Sequence, residues 1–288
     1  MHILRSALRL LLPLFTAAVC LCAQARPTLA TVPFRSRLMG AREPFDIILP
    51  AGYSTSTRRY PVLYLLHGLG GHYDSWVKNT RVVADEARYP LIIVMPEGGT
   101  GFFIDGSRPH SQWASYILEE LIPYVDAHYR TVASRRGRAI TGVSMGGYGA
   151  LRFGIEDPER FIFAAGLSPA LVAQISDTRI RQMCLPCDPV VRSDFGPTGS
   201  ARRKGNELQS LLATAAKTRL PFLFVSCGTE DSLLRVNRAF SGLLDRNRIP
   251  HEYVELPGTH GWTLWNRELP YVLHLLAARW HWRTRTPR

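Results

Sequence analysis

"TGVSMGGYGALRFG", from Thr141 to Gly154, sets Ser144 midway between Gly142 and Gly146 in a G-x-S-x-G pattern. The run before it, "GRAITGVS" (137–144), has the composition of a strand, and "MGGYGALRFGIE" (145–156) has helical spacing. A serine at the tip of such a strand-to-helix turn is held in strained backbone geometry. The flanking glycines carry no Cβ to clash where strand and helix nearly touch. The turn lifts the Ser144 hydroxyl clear of the sheet, and the free N–H groups of the new helix face any negative charge that develops beside it.

A nucleophilic serine needs a base and an orienting acid, which this kind of turn takes from later strand ends in the order Ser, Asp or Glu, His. Asp231 lies in "CGTED", directly after the strand-like run 221–227, and His260 lies in "LPGTHGW", after the run 251–256. Glu230 competes with Asp231, which is preferred. The other histidines have weaker claims, since His128 and His274 fall within helical patterns and His251 begins a strand. An oxyanion needs two donors, one of them from a loop after an early strand. "HGLGG" (67–71) follows "PVLYLL", so the N–H groups of Leu69 and Met145 are the expected pair.

Working outward, apolar runs bounded by Gly and Pro alternate with helical patterns, which signals a mostly parallel sheet covered by helices on both faces. The expected strands are "FDIILP" (45–50), "PVLYLLHG" (61–68), "LIIVMP" (91–96), 137–144, "FIFAAGLS" (161–168), "PFLFVSCG" (221–228) and "HEYVELPG" (251–258). The expected helices are 111–129, 145–156, 233–247 and 269–282. From about 170 to 219, Pro, Gly and charge interrupt the rhythm, as in an insertion over the sheet's edge or a small cap. The fold class is α/β, with one domain over 26–288.

The first residues form a separate unit. "MHILRSALRLLLPLFTAAVCLCAQA" has Arg5 and Arg9, then an apolar run interrupted by Pro13, then Ala23-Gln24-Ala25. This is the pattern of a signal peptide cut after Ala25, and it implies a secreted or periplasmic protein. Cleavage removes two arginines and no acid from a chain whose formal net charge is +12. The mature protein stays basic, through Arg202-Arg203-Lys204 and the tail residues Arg279, Arg283, Arg285 and Arg288 among others. Such charge reads first as a solvated, Arg-rich surface and, as the alternative, as a field for electrostatic association with an anionic envelope surface, whereas no nucleic-acid reader motif is present. Three cysteines remain. An oxidising compartment would let Cys184 and Cys187 of "CLPC" close a small local disulfide, and Cys227 reads as a buried core thiol. A zinc site would need a second ligand pair that the sequence does not supply.

With these residues in view, the chain resembles the esterase D-like branch of the α/β-hydrolase superfamily. That branch includes S-formylglutathione hydrolases, tributyrin, feruloyl and acetyl-xylan esterases, and mycolyltransferases. The likeness rests on "YLLHGLGGHYDSW", "VMPEGGTGFFID", "ITGVSMGGYGALRFGIEDPERF", "SCGTEDSLLRVNRAF" and "ELPGTHGWTLWNRELP", over about 43–280. It implies a serine ester hydrolase with Ser144 as nucleophile, Asp231 as acid, His260 as base, and Leu69 and Met145 at the oxyanion positions. It also implies that Phe103 and Trp113, with Asp105 nearby, line or support a substrate pocket. Neither a metal nor an organic cofactor is required. The expected substrates are short-chain acyl or carbohydrate-linked esters. Acyl transfer to a sugar or lipid hydroxyl is the alternative, and a non-catalytic envelope-binding protein on the same scaffold is the alternative of a different class.

Overall fold

Runs rich in Leu, Ile and Val become strands where both their faces are covered. The computed structural model describes residues 26–107 and 109–281. Its strands are β1 (Thr28–Val32), β2 (Phe45–Leu49), β3 (Val62–Leu66), β4 (Ile92–Pro96), β5 (Arg138–Val143), β6 (Phe163–Leu167), β7 (Phe222–Gly228) and β8 (His251–Leu256). They form one sheet in the order β1-β2-β4-β3-β5-β6-β7-β8. β1 and β2 run antiparallel to their neighbours, while β4, β3, β5, β6, β7 and β8 are mutually parallel. β1 is the strand the sequence does not announce. It lies at an edge with four of its five residues exposed, so it carries no alternation to detect.

Alternating residues of β3 feed two cores. Val62, Tyr64 and Leu66 pack on one face with Ile117, Leu121, Ala150, Phe153 and Phe240. Leu63 and Leu65 pack on the other with Trp76, Val82, Leu269 and Leu273. The first face is covered by the helical segment Trp113 to His128, which includes a π-helical stretch at Tyr116–Leu121, and by the helices Met145–Glu156 and Leu234–Arg246. The second face is covered by Ser75–Asn79, Val82–Glu86 and Trp262–Arg279. The last of these begins well before the expected start at residue 269, because Pro270 lies inside the helix instead of opening it. No described helix is long and apolar enough to cross a membrane.

The insertion forms four short helices, Asp177–Met183, Cys187–Phe195, Ala201–Gly205 and Leu208–Thr214. It joins β6 to β7, which are neighbours within the sheet, so it caps the rim and not an edge. Arg203 corrects the expectation of a solvated basic run: it is 1% exposed. Its guanidinium pairs with Asp177 and donates to the carbonyls of Val172, Ala173, Ile175 and Gly196, tying the cap's loops together. Residues 1–25, expected to be a signal peptide, and Arg283, Arg285 and Arg288 lie outside the described residues.

Because β3, β5, β7 and β8 are parallel, their carboxyl ends open on one rim. Four loops meet there, beginning at His67, Ser144, Thr229 and Pro257.

Candidate active site

Ser144 follows β5 with φ 52° and ψ −116°, outside the regions open to ordinary side-chain-bearing residues. The turn is fixed by hydrogen bonds from the Ser144 N–H to the Leu167 carbonyl (2.9 Å) and from the Ala170 N–H to the Ser144 carbonyl (2.9 Å). A Cβ on residue 142 would lie 2.5 Å from the backbone of Gly146, and one on residue 146 would lie 2.5 Å from the His67 carbonyl. Strand, helix and the His67 loop therefore meet at distances that only α-carbons without a Cβ permit.

His260 bridges the other two groups. Its Nε2 lies 2.8 Å from Ser144 Oγ, and its Nδ1 lies 2.7 Å from Asp231 Oδ2. Asp231 is 5% exposed, and its second oxygen accepts from the Leu233 N–H at 2.8 Å. Burial alone would raise the Asp231 carboxyl, but the His260 hydrogen bond and charge, with the Leu233 N–H and Ser168, hold it below the usual carboxylate range. The ring of Trp265 meets the imidazole edge-on at 5.1 Å and limits its rotation. Glu230, the competing acid, is exposed, and its N–H is spent on the Gly258 carbonyl.

Met145 opens the 12-residue helix that follows Ser144. Leu69 lies in the His67–Gly71 loop, where a Cβ on Gly68 would sit 3.4 Å from the Ser144 Cβ. Two spaces flank the serine. An apolar cavity of about 310 Å³ lies under the cap, walled by Leu69, Phe102, Val172, Ile180, Met183 and Leu233. A cleft of about 350 Å³ shares Leu69, Ser144 and His260 and extends past Ser75 and Asn79 to Trp262 and Trp265.

Phe103 and Trp113 are not brought into either wall. Phe103 is fully buried, edge-on to His67 at 5.5 Å; a Cβ on Gly98 would strike its ring and one on Gly149 would strike its Cβ. Trp113 is half-buried, lying over Gly99 and Gly101. Asp105 accepts from the N–H (3.0 Å) and hydroxyl (2.7 Å) of Ser115 and so fixes the start of the next helical segment. The aromatic residue in the cavity wall is Phe102. It and Phe103 both have positive φ (50° and 54°), and this pair of unusual residues turns consecutive side chains away from simple alternation.

A second group escaped the sequence reading. Glu97 follows β4, with one oxygen accepting from the Gly98 and Gly99 N–H groups (3.1 and 3.0 Å). It also lies 3.4 Å from His67 Nε2 and 3.2 Å from His72 Nδ1. Burial would raise this carboxyl, but the His67 contact and the Gly99 and Gly98 N–H groups bring it down to about 2. The carboxylate thereby clamps both ends of the His67–His72 segment behind Ser144. Its signal in the sequence was an acid at the same rim, at the end of a strand beside "HGLGG". No group of His, Cys, Asp and Glu among the described residues is placed to hold a metal ion.

A serine in a strained turn after a central parallel strand, hydrogen-bonded to a histidine and through it to a buried aspartate, defines an α/β-hydrolase. The chain belongs to the esterase family described as "Putative esterase", whose model matches residues 36–276. It is 29% identical over 217 residues to the acetyl esterase of Caldicellulosiruptor saccharolyticus, covering 71% of this chain and 79% of the relative. It is 31% identical over 257 residues to esterase Rv1288 of Mycobacterium tuberculosis; the match takes in 81% of this chain but 56% of that longer protein. Among solved structures, the fluorophosphonate-binding serine hydrolase FphF of Staphylococcus aureus superposes with a TM-score of 0.78 at 24% identity. That match covers 87% of this chain and 98% of the other, and it shows the common fold.

Proposed function

We propose that the protein hydrolyses carboxylic esters through an acyl-enzyme, with Ser144 as nucleophile, His260 as general base and Asp231 as the orienting acid. The observation that carries this is the position of one imidazole, 2.8 Å from the serine hydroxyl and 2.7 Å from the buried carboxylate. With Nδ1–H donating to Asp231, the lone pair of Nε2 faces the Ser144 hydroxyl and accepts its proton as Oγ attacks the substrate carbonyl. Asp231 stabilises the imidazolium so formed. The oxyanion rests on the N–H groups of Leu69 and Met145, the second reinforced by the helix dipole. His260 then returns the proton to the leaving alcohol, and water repeats the sequence on the acyl-enzyme.

The proposed substrates are short-chain acyl or carbohydrate-linked esters. The apolar cavity suits the acyl group. The cleft with Ser75, Asn79, Trp262 and Trp265 combines hydrogen-bonding groups with aromatic faces suited to the alcohol. That same cleft favours a second reading, in which a sugar or lipid hydroxyl replaces water and the acyl group is transferred. We also propose export with loss of residues 1–25 and a surface charge that holds the protein near anionic envelope polymers.

The test is turnover of short p-nitrophenyl esters by wild type and Ser144→Ala, with and without an added alcohol acceptor. Wild type is expected to exceed the variant in kcat by at least about 10⁴-fold. Equal turnover would overturn the proposal, and acylated acceptor among the products would select the second reading.

A further inference from the structure

The two cysteines of "CLPC" form a disulfide, and both of them line the apolar cavity beside Ser144. Cys184 ends the helix Asp177–Met183 as its cap residue, and Cys187 begins the helix Cys187–Phe195. The bond therefore fixes the angle between two cap helices at the place where they wall the cavity. Its Cα–Cα span of 5.3 Å is ordinary for a disulfide.

A crosslink between residues only three apart removes little freedom from the unfolded chain, so global stability does not account for it. Its local effect is larger. Without it, the turn would keep a backbone hydrogen bond from the Cys187 N–H to the Cys184 carbonyl (3.0 Å) and a longer one from Asp188 to Leu185 (3.4 Å). It would also keep an ion pair between Arg181 and Asp188 at 3.2 Å, whose arginine is 42% exposed and therefore contributes little.

Beyond this wall is open space. Ile175, Met183 and Ser232 line both the cavity and an adjoining groove of about 420 Å³, so they form the partition between the two. Met183 is bonded directly to Cys184, and its unbranched thioether adapts to whatever its backbone allows. The Met183 part of the partition therefore follows the position of the disulfide, while Ile175 and Ser232 are held on separate segments.

Building on the esterase reading, we propose that the Cys184–Cys187 disulfide is the specificity-determining element for acyl length: it holds the Met183 partition closed and so limits the chain that fits beside Ser144. The bond takes no part in the chemistry at Ser144. Acyl groups that end within the cavity are unaffected by what lies behind the partition. Longer ones must push it aside, and a rigid wall resists them.

The experiment compares kcat/KM for a p-nitrophenyl ester series from acetyl to dodecanoyl, in oxidised wild type and in Cys184→Ser/Cys187→Ser. The readout is the ratio of long-chain to butanoyl activity. Wild type is expected to fall off sharply past a medium length, and the double variant is expected to raise that ratio about tenfold, the scale on which an apolar pocket discriminates by size. Wild type treated with dithiothreitol gives the same test without substitution. Reduction converts the disulfide to two thiols while the reagent's two thiols close to a cyclic disulfide, and the ratio is again expected to rise. Thiol counting confirms the state of each sample. Unchanged ratios in a reduced wild type that still cleaves the butanoyl ester overturn the proposal, whether or not the double variant folds. Failure of wild type to cleave any ester in the series would fall instead on the esterase reading.

Discussion

Ser144 shows how much of a site one residue can announce. Its positive φ is tolerable only because Gly142 and Gly146 let the strand, the helix and the His67 loop close to contact, so the spacing of three residues in the sequence encodes the geometry of the turn. His260 and Asp231 were legible for a different reason: each follows a strand whose apolar composition is plain, and parallel strands deliver their ends to one rim. The choice between Asp231 and Glu230 was not encoded in spacing. The structure separates them by burial, with Asp231 at 5% exposure and Glu230 exposed. Asp231→Asn is accordingly expected to cut kcat by about 10⁴-fold, because the amide favours the wrong imidazole tautomer. Glu230→Gln is expected to stay near wild type. A larger loss in the Glu230 variant, measured in the same ester assay, would reverse the assignment. Phe102 and Phe103 mark where such reading stops: both are buried, but two successive left-handed residues place Phe102 and not Phe103 in the cavity wall, and no pattern of apolar residues records which.

At the scale of elements, the seven strands expected from composition all form, within a few residues of their expected ends, because each is an apolar run that punctuation isolates, six of them buried and β8 half-buried at the sheet's edge. The cap is the opposite case. Its helices are short, its composition is mixed, and the loops between them are tied together by a buried guanidinium. Arg203 reads in sequence as one of three consecutive basic residues, and nothing local distinguishes it from Arg202 or Lys204. Only the tertiary arrangement supplies Asp177 and four carbonyl acceptors for it. Removing the guanidinium leaves the carbonyls of Val172 and Ala173, whose bonds to it are buried, without that donor, at a cost of about 1–3 kcal/mol for each such group. Arg203→Leu is therefore expected to loosen the cap, seen as faster proteolytic cleavage between residues 170 and 219 and a lower Tm. Cleavage and Tm both matching wild type would show that the cap is held by other contacts.

For the molecule as a whole, the sheet divides two cores, and the one under Trp262–Arg279 encloses a carboxyl with no hydrogen-bond partner among the described residues. Glu86 is fully buried, both its oxygens lack hydrogen bonds, and burial pushes it up from 4.5 to about 9. The folded chain thus keeps a proton that the unfolded chain releases above about pH 4.5, and stability falls as pH rises from there to about 9. By pH 7 this one group lowers stability by about 3 kcal/mol relative to acid conditions. Glu86→Gln removes the titration, so its advantage in Tm over wild type is expected to widen from about pH 5 to pH 9; parallel Tm curves would refute the buried-proton account. The central claim is that Ser144 and His260, brought together from distant parts of this fold, act as one nucleophile. Mass spectrometry after brief exposure to a fluorophosphonate tests it most directly. The predicted result is a single phosphonylated peptide containing Ser144 in wild type and almost no adduct in His260→Ala, whereas equal labelling of the two proteins, or an adduct on another residue, would contradict it.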